Sequence, residues 1–245
     1  MREAGRLVAR AHQLVHQLIE PGRSLRDLDA AIVGLYRQRG AVPVFQEFSS
    51  NQGRFPAACC ISVNEQVAHA IPNDRRLQSG DLVSIDTGCR LNGWCADAAW
   101  SYPVGEVAPS RKRLIQAGLD VLGAALDQCR SSRTWSEVAH TMVSSAAQSG
   151  FSLVEEFAGH GIGRELHEDP QLRVSDTGDI CLEPGLVLAI EPVVNAGSRH
   201  VRQSADGWTL ETADGLPSVH FEHTIALTDG GPEVLTEGVG LPMLK

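Results

Sequence analysis

The sequence predicts an α+β fold in which helices come in pairs and antiparallel strands form the core. Four segments have the apolar spacing of amphipathic helices, and the apolar stretches between them are separated by turn signals such as Asn92-Gly93. Each pair of helices precedes a run of strands instead of alternating with single strands, which excludes a βαβ arrangement. Since the 245 residues contain no Pro/Ser-rich linker, we expect one domain over residues 1–245.

The helices are predicted from apolar periodicity and from the residues at their ends. Ser24 and Thr134 precede the second and fourth helices as capping residues, and Gly40 and Gly150 close them. The spacing from cap to glycine is the same in both, each time after a longer helix. It predicts an internal repeat of two pseudo-symmetric halves, about 1–105 and 106–245. The predicted helices cover 2–19, 25–39, 111–129 and 135–149.

The strands are predicted from short β-rich stretches that turn residues separate. Asn92-Gly93 is a hairpin signal, so it joins two of these stretches into an antiparallel pair. An antiparallel sheet core flanked by two helix pairs is the expected architecture. The predicted strands cover 59–63, 82–86, 93–102, 186–191 and 219–228.

Charge and cysteine usage exclude several classes of protein. The formal net charge is −9 and the isoelectric point is near 5.4, whereas a dedicated nucleic-acid binder normally carries a basic field. There is no apolar stretch long enough for a membrane span and no secretory signal, so a cytoplasmic protein without membrane contact is expected. The six cysteines form no Cys-x-x-Cys pair and read as reduced thiols. No coiled-coil or dimer stripe is visible, which predicts a monomer.

Four acidic residues stand inside apolar, strand-like segments. One such residue alone is best explained as a strand-end carboxylate that binds backbone N–H groups, but four are harder to explain in this way. Packing them together would be opposed by mutual repulsion unless a positive centre lies among them. Two divalent cations would balance the four negative charges. The four acids are Asp86, Asp97, Glu191 and Glu222.

Histidines accompany these acids. His160 stands between glycines in Gly159-His160-Gly161, which let the backbone approach closely and leave the imidazole free. An oxygen-rich set with one imidazole suits Mn²⁺, Fe²⁺ or Co²⁺ better than a structural zinc site. Paired metals about 3.5–4 Å apart support hydrolysis. His69 and His167 are further imidazoles, although His167, before Glu168, reads equally well as a partnered surface residue.

These motifs together resemble the type I methionine aminopeptidases, metallopeptidases of the pita-bread (creatinase-like) fold. The resemblance runs from Glu3 to about Thr236, nearly the whole chain, and each predicted metal ligand stands in its own motif. The matching runs include Ile61-Ser62-Val63-Asn64-Glu65, Gly80-Asp81-Leu82-Val83-Ser84-Ile85-Asp86, Gly159-His160-Gly161-Ile162-Gly163-Arg164, His167-Glu168-Asp169-Pro170, Ala189-Ile190-Glu191-Pro192, Asn195-Ala196-Gly197, Gly207-Trp208-Thr209 and Glu222-His223-Thr224.

The resemblance implies roles at the matching positions. Two divalent metal ions, most naturally Mn, Fe or Co with Zn as the alternative, are implied, and Asp97 and Glu222 would bridge them. Glu191 would also pass a proton towards the leaving amine. His69 would contact the scissile amide and His167 would stabilise the oxyanion. The implied ligands are Asp86, Asp97, His160, Glu191 and Glu222.

The resemblance also implies a methionine pocket and a second ion site. Methionine is unbranched and polarizable, so its pocket should be aromatic, aliphatic or sulfur-lined. Cys60 and Leu166, taken alone, read as well as core residues. A monovalent cation would bind at Asn64 and Ser218, although the resemblance at these two positions is weaker. The implied substrate-binding residues are Phe55, Cys60, His69, Leu166, His167 and Trp208.

Several positions depart from the family pattern without affecting a ligand. Gln52 stands where a pocket tyrosine is expected and Gly53 where a histidine is usual. Ala70 stands where glycine is common, Cys95-Ala96 precedes Asp97 in place of a His-Gly-type pair, and Leu166 takes a position that is usually aromatic. These departures bear on substrate preference and turnover.

The implied function is removal of the initiator methionine from peptides and nascent chains with a small second residue, with any contact at the ribosome unmarked in the sequence. Within this function, the substituted residues Gln52, Gly53 and Leu166 suggest the alternative of a paralogue that prefers a different N-terminal residue. Aminopeptidase P and prolidase share the ligand frame but carry an N-terminal domain, and a type II enzyme needs a helical insertion. A non-enzymatic peptide-binding relative would normally lose ligands.

Overall fold

The predicted helix pairs and antiparallel strands form an α+β structure. A computed structural model describes residues 1–50, 53–175 and 180–239. Within them α1 packs against α2, and α3 against α4. The helices begin and end within two residues of the predicted bounds. They are α1 (Arg2–Leu18), α2 (Leu25–Gln38), α3 (Pro109–Gln128) and α4 (Trp135–Gln148), with a 3₁₀ turn at Val44–Glu47.

The helix ends show which sequence signals act. The Ser24 hydroxyl accepts a hydrogen bond from Asp27 N at 3.2 Å, so this predicted cap is confirmed. Thr134 makes no such bond; the Glu137 carboxylate instead accepts one from Arg133 N at 3.0 Å. Helix α3 begins at Pro109, two residues before its predicted start, because proline fits the first turn, where no N–H is needed.

The strands are short except for one long hairpin. They are β1 (Val42–Pro43), β2 (Ser49–Ser50), β3 (Gly53–Arg54), β4 (Cys59–Val63), β5 (Gln66–Ala68), β6 (Leu82–Leu91), β7 (Trp94–Pro103), β8 (Ser152–Leu153), β9 (Gly159–Gly161), β10 (Glu168–Leu172), β11 (Val187–Ile190), β12 (Val193–Asn195), β13 (Val201–Gln203), β14 (Leu210–Thr212), β15 (Ser218–His220), β16 (His223–Thr228) and β17 (Gly231–Val234).

Every strand pair described is antiparallel. Strand β6 pairs with β1, β4 and β7, and a second sheet has the order β10-β9-β11-β16-β17. A third sheet has the order β15-β12-β8, and β13-β14-β5 forms a fourth. The β6–β7 hairpin turns through Asn92 (φ 53°) and Gly93 (φ 75°), both in the left-handed region that the predicted Asn-Gly turn requires.

One strand prediction was wrong. The stretch 219–228 is not a single strand but β15 and β16, which belong to different sheets and are separated by Phe221 and Glu222. The predicted strand 186–191 likewise stops at Ile190, and β12 begins after Glu191 and Pro192. The division into repeats at about 1–105 and 106–245 stays a prediction.

The core lies between the helices and the sheets. Helix α1 packs on β7 through buried residues such as Val8, Ala11 and Val15. Helix α3 packs on β7, β12 and β15. The helices therefore cover one side of the strands that carry the acidic residues, and leave the other side for a cavity.

Candidate active site

Asp86 and Asp97 lie side by side on the β6–β7 hairpin. Asp97 is opposite Gly88 in the register, two residues from Asp86. Because side chains alternate between faces along a strand, Asp86 and Asp97 project from the same face as diagonal neighbours. The predicted hairpin therefore brings the two carboxyl groups together.

Glu191 and Glu222 lie where paired strands break. Glu191 connects β11 to β12, and Glu222 connects β15 to β16. The breaks face each other, since Ile190 pairs with His223 before them and Val193 pairs with His220 after them. A broken strand pair thus supplies two acids at one point, which explains why the apolar pattern of 219–228 contains a carboxylate.

Strand β7 ties this break to the hairpin. Glu222 N donates to Ala99 O at 2.9 Å. Two hydroxyl groups extend the contact on either side: Thr224 Oγ1 bonds both Asp97 N (3.0 Å) and Asp97 O (2.7 Å), and Ser101 Oγ bonds His220 N (2.8 Å) and His220 O (3.0 Å). These bonds place the carboxyl groups of the two predicted bridging ligands next to each other.

His160 completes the cluster from β9. Its strand lies between β10 and β11, with His160 opposite Ala189. Gly159 has φ 153°, and a Cβ there would lie 2.2 Å from Ala189 O, so this approach requires glycine. One ligand atom each from Asp97, His160 and Glu222 lie within 4.8 Å of one another. His160 Nδ1 is 2.9 Å from Gly161 O, which leaves Nε2 as a ligand atom when Nδ1 carries the proton.

The electrostatics of the cluster fit a divalent cation. Burial raises the pKa of Asp97 to about 7, and burial with repulsion from Asp97 raises that of Glu191 to about 8. Burial and neighbouring acids also raise the pKa of Asp86 and Glu222 strongly. Among the described residues, Asp86 Oδ1, Asp97 Oδ1 and Glu222 Oε1 are buried without a hydrogen-bond partner. Buried, unpartnered carboxylate oxygens beside a neutral imidazole are the donors that such a cation needs.

All five proposed ligands and all six proposed substrate-binding residues line one cavity of about 450 Å³. The sequence did not identify several other lining residues, because nothing in their local pattern marks them as facing a cavity. Phe45 lies within the 3₁₀ turn and Phe48 follows it, and Glu156 and Phe157 precede β9. These additional lining residues are Phe45, Phe48, Glu156, Phe157, Gly159, Gln171, Leu172 and Arg173.

One wall of the cavity is aromatic. The ring centroids of Phe55 and Trp208 are 5.3 Å apart, and Phe48 lies 6.1 Å from Trp208. Phe55, Cys60 and Leu166 are buried in one apolar cluster, against which Trp208 packs. Burial raises the pKa of the Cys60 thiol strongly, so it remains an uncharged part of this wall. The wall has the aromatic, aliphatic and sulfur character predicted for a methionine pocket.

His69 and His167, the other two histidines predicted for the site, line the same cavity as neutral groups. The His167 ring lies 4.3 Å from that of His160, and His69 packs against Phe157 at 5.7 Å. Burial lowers the pKa of His69 to about 4 and also lowers that of His167. His69 holds φ 58°, an unfavourable conformation for a residue with a Cβ, which the surrounding structure must maintain.

Asn64 and Ser218 lie apart from the residues that line this cavity. Ser218 N donates to Asn64 O at 2.9 Å. The Asn64 side-chain oxygen accepts from Leu82 N at 3.0 Å and from the Arg111 guanidinium. These oxygens already have hydrogen-bond partners and a cationic neighbour, so a monovalent cation here stays a prediction.

The positions that depart from the family pattern are only partly visible. Gln52 lies outside the described residues. Gly53 begins β3, and Ala70 and Ala96 are buried next to His69 and Asp97. Leu166 lines the cavity directly and is therefore the departure with the clearest access to a substrate. Within the described ranges, no helix is long and apolar enough to cross a membrane.

Comparisons with known proteins agree with this geometry. The model of metallopeptidase family M24 matches residues 1–229. "Methionine aminopeptidase 1" of Bacillus subtilis is 42% identical over 239 residues, covering 96% of this chain and 94% of the relative. The crystal structure of methionine aminopeptidase from Thermotoga maritima has a TM-score of 0.91 at 36% identity, covering 96% of this chain and 94% of that one. A Xaa-Pro dipeptidase from Bacillus anthracis shares the fold, with a TM-score of 0.77 at 22% identity, but this chain covers 59% of it.

Proposed function

The chain belongs to metallopeptidase family M24, and from that premise we infer that it is a metal-dependent hydrolase that removes the N-terminal methionine from peptides. The observation that carries this inference is that an acidic cluster with one imidazole and an apolar, partly aromatic wall line the same cavity. Its relatives over nearly the whole chain are named methionine aminopeptidases.

We propose that Asp86, Asp97, His160, Glu191 and Glu222 hold two divalent ions. Mn²⁺, Fe²⁺ and Co²⁺ suit this oxygen-rich donor set, with Zn²⁺ as the alternative. The unpartnered carboxylate oxygens of Asp86, Asp97 and Glu222 support the assignment. When bound, such ions activate water and polarise the scissile carbonyl.

The residues around the cluster orient the peptide. The wall of Phe55, Cys60, Leu166 and Trp208 takes the methionine side chain, because an unbranched thioether makes favourable contacts with aromatic and sulfur-bearing groups. A free N-terminal amine is needed at the acidic cluster, so a formylated methionine must first lose its formyl group.

Proton transfer and oxyanion stabilisation fall to three side chains. The Glu191 carboxylate, which lies in the acidic cluster, takes a proton from water and passes it to the leaving amine. Neutral His69 donates to the scissile amide, and neutral His167 donates to the developing oxyanion. Both rings face the cavity that also holds the cluster.

The preferred substrates follow from this arrangement. We propose N-terminal methionine peptides and nascent chains whose second residue is small. Contact with the ribosome, a monomeric state and action in the cytoplasm stay predictions. A peptidase that cleaves before proline is not favoured, because a methionine aminopeptidase is 42% identical to this chain, whereas the Xaa-Pro dipeptidase is 22% identical and shares the fold alone.

A peptide panel tests this function. Release of the N-terminal residue from Met-Ala-Ser, Met-Leu-Ser and Ala-Pro-Ser would be measured with metal-stripped protein resupplied with Mn²⁺, Fe²⁺, Co²⁺ or Zn²⁺. We expect metal-dependent cleavage of Met-Ala-Ser but not of Met-Leu-Ser. Cleavage confined to Ala-Pro-Ser would overturn the assignment, and a folded protein that cleaves nothing would indicate a paralogue of altered preference or a peptide-binding relative.

A further inference from the structure

His220 is a buried imidazole to which the reaction above gives no role. It ends β15 and is 3% exposed. Among the described residues its Nε2 atom has no hydrogen-bond partner, although the atom is buried. Glu191 Oε2 lies 3.6 Å from His220 Nε2. A buried polar atom without a hydrogen-bond partner lowers the stability of the fold, so the group that this atom faces is a candidate for its role.

The position of the His220 ring is fixed by its backbone. Ser101 Oγ accepts from His220 N at 2.8 Å and donates to His220 O at 3.0 Å. The opposite residue on β12 is Val193, two positions after Glu191. Strand pairing and these two bonds therefore fix the backbone position from which the ring extends towards Glu191.

The break in the strands holds Glu191 separately. Glu191 N donates to Ala158 O at 3.0 Å, and Phe221 N donates to Pro192 O at 3.2 Å. These bonds anchor the backbone on both sides of Glu191. The 3.6 Å between His220 Nε2 and Glu191 Oε2 exceeds a hydrogen-bond distance by a few tenths of an ångström, so the bond proposed below requires a small shift of the two side chains.

The protonation state of His220 is compatible with such a bond. Burial lowers its pKa to about 3, so the ring is neutral and carries a single N–H. With that hydrogen on Nε2, the ring donates to Glu191 without a buried positive charge. The contact between His220 and Glu191 therefore depends on the position of the Nε2–H donor and not on titration of the ring.

We propose that His220 is a positioning residue for Glu191: its Nε2–H donates to Glu191 Oε2 and fixes the direction in which the carboxyl group faces the cavity. The inference rests on the proposed function, in which Glu191 binds metal and moves a proton. A group that orients a ligand in this way commonly changes metal affinity or activity when it is removed.

Three variants test the proposal. His220→Leu removes the donor while keeping an apolar group of similar size, and His220→Gln keeps an N–H donor of similar reach. His220→Asn carries the same amide on a shorter side chain, so it serves where His220→Leu does not fold. Each variant would be titrated with Co²⁺ alone, followed by visible absorption, and then assayed for kcat and KM on Met-Ala-Ser.

We expect His220→Leu and His220→Asn to lose about 10–100-fold in Co²⁺ affinity or in kcat, with a much smaller change in KM, and His220→Gln to restore wild-type behaviour. Wild-type affinity and kcat in His220→Leu or His220→Asn would overturn the proposal. Equal losses in all three variants, together with a lower thermal midpoint, would also overturn it by showing a purely structural role. The Co²⁺ titration reports on His220 even if wild-type protein does not cleave the peptide, which separates the two failures.

Discussion

The hydroxyl group of Thr224 makes two hydrogen bonds with the backbone of Asp97. It accepts one from Asp97 N at 3.0 Å and donates one to Asp97 O at 2.7 Å. Thr224 N in turn donates to Thr236 Oγ1 at 3.2 Å. A single buried side chain therefore joins the hairpin that carries Asp97 to the strand that follows Glu222, the two residues proposed to bridge the metals.

Thr224→Val should weaken both the fold and the metal site. Valine has the shape of threonine but leaves Asp97 N and Asp97 O without their partner, so we expect the free energy of unfolding to fall by about 1–3 kcal/mol. Thr224→Ser keeps the hydroxyl group and is the matched control. Denaturant unfolding and Mn²⁺ titration would measure both effects; equal behaviour of the valine and serine variants would contradict the role.

Glu191→Gln should abolish most of the activity without unfolding the protein. The amide cannot accept and pass on the proton, so we expect kcat to fall by about 10²–10⁴-fold. Glu156→Gln is the control, because Glu156 lines the same cavity but lies outside the acidic cluster. Steady-state kinetics on Met-Ala-Ser would distinguish them, and near-wild-type turnover of Glu191→Gln would remove this residue from the reaction.

Leu166→Phe should change the preference for the first residue. Leu166 lines the cavity in the apolar cluster of Phe55 and Cys60, and a larger ring there leaves less room for a side chain. We expect the ratio of kcat/KM for methionine to that for a smaller first residue to shift by about tenfold. The Co²⁺ affinity should stay unchanged, since Leu166 is not a ligand. An unchanged ratio would show that this departure does not affect specificity.

Metal-free protein should become less stable as the pH rises from about 4 to about 8. The pKa of Asp97 is raised to about 7 and that of Glu191 to about 8 in the fold, whereas unfolded carboxyl groups titrate near 4. The folded state then holds more protons than the unfolded chain in this window, so the free energy of unfolding falls with increasing pH.

Mn²⁺ should remove this loss of stability, because the cation stabilises the ionised carboxylates. Thermal unfolding of the stripped protein across this pH window, with and without Mn²⁺, would measure the effect. A midpoint that Mn²⁺ does not move would show that Asp97 and Glu191 do not belong to a metal site, and a midpoint that is independent of pH without metal would show that their pKa values are not raised.

Local signals explain what was predictable from the sequence. The helix bounds follow from apolar periodicity, and the hairpin that unites Asp86 and Asp97 follows from Asn92-Gly93, whose turn conformation is local. The presence of Asp86, Asp97, Glu191 and Glu222 in apolar segments was visible because charge is unusual there. The resemblance to a known family added the roles of His69 and His167.

Tertiary contacts explain the rest. The break at Phe221 and Glu222 has no turn residue to mark it; it exists because the strands on either side belong to different sheets. In the sequence, Ser101 and Thr224 are ordinary strand residues. Their hydroxyl groups bond residues more than 100 positions away, on the other side of the contact between β7 and residues 220–224, which no local pattern predicts. Phe48 enters the cavity from the end of a 3₁₀ turn, where no period predicts the direction of a side chain.

The most direct test is a titration of metal-stripped protein with Mn²⁺ while methionine release from Met-Ala-Ser is recorded. We predict no release in the presence of chelator, and release that rises as Mn²⁺ binds and reaches a plateau when the site is filled. Release at the full rate from chelated, metal-free protein would contradict it, because the acidic cluster would then be unnecessary for the reaction.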